Sequence, residues 1–312
     1  MKKLPILFII GQTASGKTDL SIKIKSIFPS LIEIVNMDSL SIYRDMNIGT
    51  AKVSKEILDK YPHKLINIRD PSQNYSVKEY YKDAINVINM CHINKKIPLF
   101  CGGSMFYFNT LINGISEYNM VNFTKVKTFI NYKFSNYIDN KKIFNNVNNI
   151  YKKFKNNNEY KNIYKIKKIL SIFITQGFIK YNFKKLNKKY NLYKFCILNN
   201  KDNIEKIIKN RFFKMIKNGF ENEVRILYNR GDLNIENNKS IRSIGYKEMW
   251  LYLLGKISYK SFIEKTIKSN MILIKNQNKW IKKIKKNLLF MENNELYNKK
   301  IINIIYNIKN NI

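Results

Sequence analysis

The sequence predicts an α/β protein, with a parallel sheet core flanked by helices and a mainly helical insertion between two core segments. Three observations predict it. An apolar run, Leu4 to Ile10, feeds straight into a glycine-rich loop; strand-like and helix-like segments alternate to about residue 110; and near Tyr118 the composition turns to dense Lys, Asn, Tyr and Phe with helical periodicity. The 312 residues suffice for about two domains at ~150 residues each. The expected division is a core over 1–117 and 192–312 and an insertion over 118–191.

Leu4 to Ile10 suits a strand buried on both faces, and an amphipathic helix follows the loop to about Phe28. Leu31 to Val35 reads as a second strand, ending at Asn36-Met37-Asp38-Ser39. Ser76 and Glu79 form a capping-box pattern ahead of a helix to about His92. Pro98 to Cys101 is a third strand, closed by Gly102-Gly103-Ser104 and a further helix. After the insertion, Tyr193 to Leu198 reads as a returning core strand. Helices are expected over Asn203 to Lys217, Phe220 to Arg230, Ile241 to Leu254 and Ser258 to Lys286, punctuated by Gly219, Gly231 and Gly255. The Lys/Asn/Ile stretch from Asn293 to Ile312 carries no clear assignment.

With 57 Lys+Arg against 22 Asp+Glu, the formal charge is +35 and the pI about 9.9, while 45% of residues are hydrophobic. That combination describes a folded, very basic protein suited to a polyanionic partner, and excludes a disordered tail. Part of the charge follows from a chain loaded with Lys, Asn, Ile and Tyr, the residues of AT-rich codons. Cys91, Cys101 and Cys196 form no Cys-x-x-Cys pair and the histidines are His63 and His92 alone, so neither a disulfide framework nor a Cys/His zinc site is expected. The N-terminal apolar run is too short to cross a membrane. A cytosolic protein without a membrane partner is the expectation, and a monomer the simplest assembly.

The residues Gly11, Gln12, Thr13, Ala14, Ser15, Gly16, Lys17 and Thr18 match G-x-x-x-x-G-K-[ST] between a buried strand and a helix. In that context loop and helix N–H groups converge on a phosphate chain, Lys17 supplies charge, and the Thr18 hydroxyl can ligate Mg²⁺. The loop alone leaves open whether the phosphates belong to a nucleotide or another diphosphate. Asp38 falls just past the second strand, at the carboxyl edge of a parallel sheet where ligands of such folds bind. It suits a magnesium partner, a general base or a capping residue. Gly102-Gly103-Ser104 allows close approach of backbone to ligand. Ser240 to Trp250, the lysine-rich helix around Trp280, and the insertion's Lys and aromatic residues suit RNA contacts or solvated faces.

Together these blocks resemble the bacterial tRNA dimethylallyltransferases, a family with the P-loop fold. The resemblance rests on Gly11–Thr18, Asp38 to Arg44 leading to Asn47 to Lys52, Pro62 to Pro71, Gly102 to Tyr107, Gly219 to Val224 and Ser240 to Trp250, in the family's order. It implies transfer of a dimethylallyl group from dimethylallyl diphosphate to the exocyclic amine of the adenine 3′ of a tRNA anticodon. Lys17, Thr18, Asp38 and Arg242 would then be catalytic, with Asp38 accepting the amine proton, Thr18 the metal ligand and Mg²⁺ the cofactor. Ser39, Leu40, Ser41 and Ser104 would line the adenine pocket, with Asp38 also contacting the tRNA. Tyr164, Lys165, Ile166, Lys167 and Lys168 of the insertion, Arg242, Ser243, Ile244, Gly245, Tyr246 and Lys247, and Lys275, Gln277, Trp280 and Lys282 would contact the anticodon stem-loop.

The chain departs from the family pattern at several positions. Lysines replace two arginines within Asn162 to Ser171, Tyr164 replaces a glutamine, Met271 and Asn276 replace arginines, and Ser104 stands where threonine is usual. Lysine keeps the charge and loses the bidentate fork. The rival readings are a prenyltransferase acting on a free adenine nucleotide, a small-molecule P-loop kinase, and an RNA-binding protein with a relict P-loop. Neither rival enzyme needs so basic a chain, and the intact Asp38 speaks against the relict.

Overall fold

A computed structural model describes residues 3–115, 126, 128, 185–198, 203–284, 288–292 and 295–310. The first strand, β1 (Pro5–Gly11), is buried along its whole length and passes through the glycine loop into α1 (Lys17–Ile27). β2 (Ile32–Asn36) follows, then α2 (Lys55–Lys60), a two-residue β3 (His63–Lys64) and α3 (Val77–Ile93). α3 starts at the expected capping box: the Ser76 hydroxyl accepts from the Glu79 amide at 3.2 Å, and the Glu79 carboxylate accepts from the Ser76 amide at 2.7 Å. β4 (Ile97–Gly102) and α4 (Met105–Asn113) complete the first segment.

The chain resolves into two compact units, residues 1–114 with 185–312, and residues 115–184. Nearly all of the second unit, including Tyr164 to Lys168, lies outside the described residues. The core resumes at Lys185, seven residues before the sequence reading places it, because Leu186 and Tyr190 are buried and the Tyr190 hydroxyl donates to Asn89 on α3. α5 (Leu186–Lys189) and β5 (Asn191–Leu198) lead to α6 (Ile204–Lys217), α7 (Phe220–Asn229), α8 (Tyr246–Leu253) and α9 (Tyr259–Ile284). β6 (Leu289–Glu292) and α10 (Glu295–Asn310) close the chain.

The six strands among the described residues are all parallel, in the order β3-β2-β4-β1-β5-β6. Alternation along β1 divides the core between the sheet faces: Ile6, Phe8 and Ile10 pack with α3, α4 and the later helices, while Leu7 and Ile9 pack with α1 and α10. Because every strand points the same way, the loops after β1, β2 and β4 gather at one edge. That edge is tightly packed, and a Cβ on Gly102 would lie 2.2 Å from the Met37 carbonyl oxygen.

One expectation needs correction, and the C-terminal stretch left without an assignment forms α10. The helix expected from Ile241 begins only at Tyr246, because Gly245 takes φ +88° and its amide donates to the Glu248 carboxylate at 2.8 Å, which sets the helix start there. The C-terminal stretch is part of the core: Ile301, Ile305 and Ile308 of α10 are buried against the sheet face that carries Leu7 and Ile9.

Candidate active site

The glycine loop is shaped by backbone sterics before any ligand enters. A Cβ on Gly11 would stand 2.0 Å from the Ile197 carbonyl oxygen, and Gly16 takes φ +77° at the head of α1. α1 has no side-chain cap, so its first-turn amides face the cavity that Thr13 to Asp19 line. Lys17 folds back to donate to the Gln12 carbonyl and the Ser15 hydroxyl. Burial lowers its pKa to about 8 against the opposing pull of nearby Cys101 and Asp38; Arg211 lowers it further.

Across the sheet edge, Asp38 is fixed by its own turn. Its Oδ1 accepts from the Leu40 amide at 2.8 Å and the Ser41 amide at 3.4 Å, while its amide donates to Asn36 Oδ1 at 3.1 Å. The capping role that the sequence left open is therefore filled by one oxygen, and no hydrogen bond is made to Oδ2 among the described residues. Ser104 holds the next residue, its hydroxyl accepting from the Ser39 amide at 3.0 Å.

Two cavities meet at this point. One, of about 310 Å³, is lined by the glycine loop, Asp38, Ser41, Lys52 and Arg211. The other, of about 510 Å³, is lined by Ser39, Leu40, Ser104, Arg242, Ser243, Ile244, Gln277 and Trp280. Thr13, Asp38, Thr50, Gly103 and Arg211 line both. Of the four residues expected to be catalytic, Lys17 and Thr18 line the smaller cavity, Arg242 lines the larger, and Asp38 lines both. Ser41 lines the smaller cavity and not the larger one where it was expected.

Several expected RNA contacts are otherwise engaged. Gln277 is buried on α9 and bridges the site, its Oε1 accepting from the Thr13 amide at 3.0 Å and its Nε2 donating to the Gly103 carbonyl at 3.1 Å. Tyr246 is fully buried, donates to Glu223 and packs edge-on against Phe220, so its side chain offers nothing to a macromolecular surface. Gly245 sits at a buried helix start, and the Ser243 hydroxyl donates to the Ser240 carbonyl. Lys247, Lys275 and Lys282 are exposed and line neither cavity.

Sequence reasoning missed Arg211, Lys52 and Glu223. Arg211 sits mid-helix on α6 among lysines, with no local motif to mark it, yet it reaches the junction of the cavities; burial lowers its pKa and Asp38 opposes that. Lys52, its pKa lowered to about 8 by burial, donates to the Tyr43 carbonyl, Asn47 and Asn67. Glu223 accepts from the amides of Asn47, Ile48 and Gly49. The Pro62 to Pro71 block is a strut: Pro71 and Ser72 carbonyls accept from Ser240 and Asn238 in the turn that carries Arg242.

The IPP transferase family model matches residues 41–284. The chain belongs to this family. It is 36% identical over 296 residues to a tRNA dimethylallyltransferase of Buchnera aphidicola subsp. Baizongia pistaciae, covering 90% of this chain and 87% of the relative. It is 41% identical over 290 residues to that of Wigglesworthia glossinidia brevipalpis, covering 89% and 86%. The crystal structure of a full-length tRNA isopentenylpyrophosphate transferase from Bacillus halodurans superposes with TM-score 0.70 at 27% identity, over 98% of this chain and 97% of that one. The P-loop-like α/β fold described above is the fold shared with that structure.

One residue present, Thr18, suits a magnesium ion as a ligand. Among the described residues no cluster of three His, Cys, Asp or Glu could form a cage, and the Thr18 hydroxyl is an exposed hard-oxygen donor beside the phosphate loop. No described helix is long and apolar enough to cross a membrane.

Proposed function

We propose that this chain transfers the dimethylallyl group of dimethylallyl diphosphate to the N6 amine of the adenosine 3′-adjacent to a tRNA anticodon, releasing pyrophosphate. The observation that carries this reading is the meeting of the phosphate-side and base-side cavities at Asp38. The diphosphate lies in the glycine loop, held by backbone amides, Lys17 and Arg211. The adenine enters the larger cavity beside Ser39, Leu40 and Ser104, unstacked from the RNA at a cost of a few kcal/mol.

The exocyclic amine attacks the allylic carbon, the carbon–nitrogen bond forms, and the carbon–oxygen bond to the diphosphate breaks. Asp38 Oδ2 receives the amine proton, while Oδ1 holds the carboxylate in position through its turn. Charge growing on the leaving pyrophosphate is met by Lys17, Arg211 and the α1 amides, already in place before reaction. A magnesium ion on Thr18 would add charge neutralisation there. Gln277 keeps the loop registered against Gly103, so that the two substrates face each other in line.

On this reading the chain works in the cytosol as a monomer, and the segment 118–191 clamps the anticodon stem-loop through Tyr164, Lys165, Ile166, Lys167 and Lys168. Arg242 and Trp280 contact the RNA at the cavity mouth. Incubation with Mg²⁺, labelled dimethylallyl diphosphate and unmodified tRNA, beside an AMP control, tests the reading. Label is expected in tRNA alone; label in AMP alone would establish the nucleotide prenyltransferase instead, and salt-sensitive tRNA binding without transfer would establish the relict P-loop.

A further inference from the structure

Met105, Phe106 and Tyr107 of the first turn of α4 line the larger cavity, and of the three only Phe106 is exposed. Met105, Tyr107 and Phe108 are buried, and Tyr107 is stacked on Tyr80 with ring centroids 4.0 Å apart. Phe106 is 56% exposed and lines the same cavity as Asp38 and Trp280. An exposed phenylalanine on so firmly held a turn is a rigid platform on which no aromatic ring or cation of the described residues stacks. The exposed cations Lys239 and Arg242 line the same cavity, so its electrostatics suit a phosphodiester chain whose bases turn inward.

We propose that Phe106 is a stacking platform for an unpaired RNA base, the nucleotide adjacent in the chain to the acceptor adenosine. The inference rests on the reading of tRNA as substrate. Stacking holds the neighbouring nucleotide open and so keeps the acceptor base unstacked in the cavity; an aromatic face accepts any base, so the contact adds affinity without reading sequence.

The test is direct binding of an anticodon stem-loop, without turnover, to the full chain and to Phe106→Ala and Phe106→Tyr variants. Each is measured with the natural loop and with loops carrying an abasic site on either side of the acceptor adenosine. Phe106→Ala is expected to weaken binding of the natural loop by about 5- to 150-fold, the usual worth of one base–aromatic stack. Phe106→Tyr retains binding. On one of the two abasic loops the alanine variant and the parent chain bind alike, because the stacking partner is already gone. The melting temperature stays put, since the ring is exposed. Equal weakening on the natural and both abasic loops, or an effect under twofold on the natural loop, would overturn the proposal while leaving the transferase reading intact. Failure of the parent chain to bind any stem-loop would overturn both, and the transfer assay separates the two cases.

Discussion

Replacing Glu223 with glutamine tests the most concentrated set of hydrogen bonds near the site. Glu223 Oε2 accepts from the Asn47 amide at 2.8 Å and the Ile48 amide at 2.7 Å, while Oε1 accepts from the Gly49 amide at 3.1 Å and the Tyr246 hydroxyl at 2.5 Å. A glutamine keeps one acceptor oxygen and sets an NH₂ against the other pair of donors. At about 1–3 kcal/mol for each of the two buried donors left unpaired, the expected loss is about 2–6 kcal/mol. For a domain of this size that lowers the melting temperature by about 4–24 °C. The loop so released carries Gly49 and Thr50, which line the larger cavity, so KM for tRNA rises as well. Tyr246→Phe removes one of the four donors and costs about 1–3 kcal/mol. Denaturant unfolding of both variants checks the numbers, and a Glu223→Gln protein within 1 kcal/mol of the parent would refute the reasoning.

Three further outcomes follow from the same geometry. Because the free-protein pKa of Lys17 is about 8, below the unfolded value, its charge is lost as pH rises through 8; pyrophosphate affinity should fall about tenfold between pH 7 and 9 by calorimetric titration, while this group's contribution to folding stability rises from pH 8 to about 10.4. Gln277→Ala leaves the Thr13 amide and Gly103 carbonyl without their partner and should raise the Kd for pyrophosphate, with a stability loss of about 2–5 kcal/mol by denaturant titration. Ile305→Ala, at a fully buried position of α10, should cost about 2–5 kcal/mol by the same titration, where a loosely attached tail would lose almost nothing.

Much of the site was legible because its residues are bound to local backbone demands. The glycine loop needs Gly11 and Gly16 for steric reasons, Ser76 and Glu79 cap their own helix, and Asp38 follows directly from a strand end, so each leaves a mark within a few residues. The missed groups act at long range. Arg211 joins the site only when α6 packs against α7 and α9, and Glu223 binds amides some 175 residues away in sequence. Gln277 and Tyr246 belong to blocks that the family resemblance marked for RNA, but burial turns both inward to hold loops together. α10 was hidden by a Lys- and Asn-rich background, although Ile301, Ile305 and Ile308 keep the spacing of one helix face.

The account turns on Asp38 joining two binding cavities as the proton acceptor. Single-turnover transfer from preloaded dimethylallyl diphosphate to bound tRNA, compared between the parent chain and Asp38→Ala, measures that role directly. The rate should fall by about 10²- to 10⁴-fold while the Kd values for both substrates stay within about threefold. A variant that transfers at the parent rate would contradict the account.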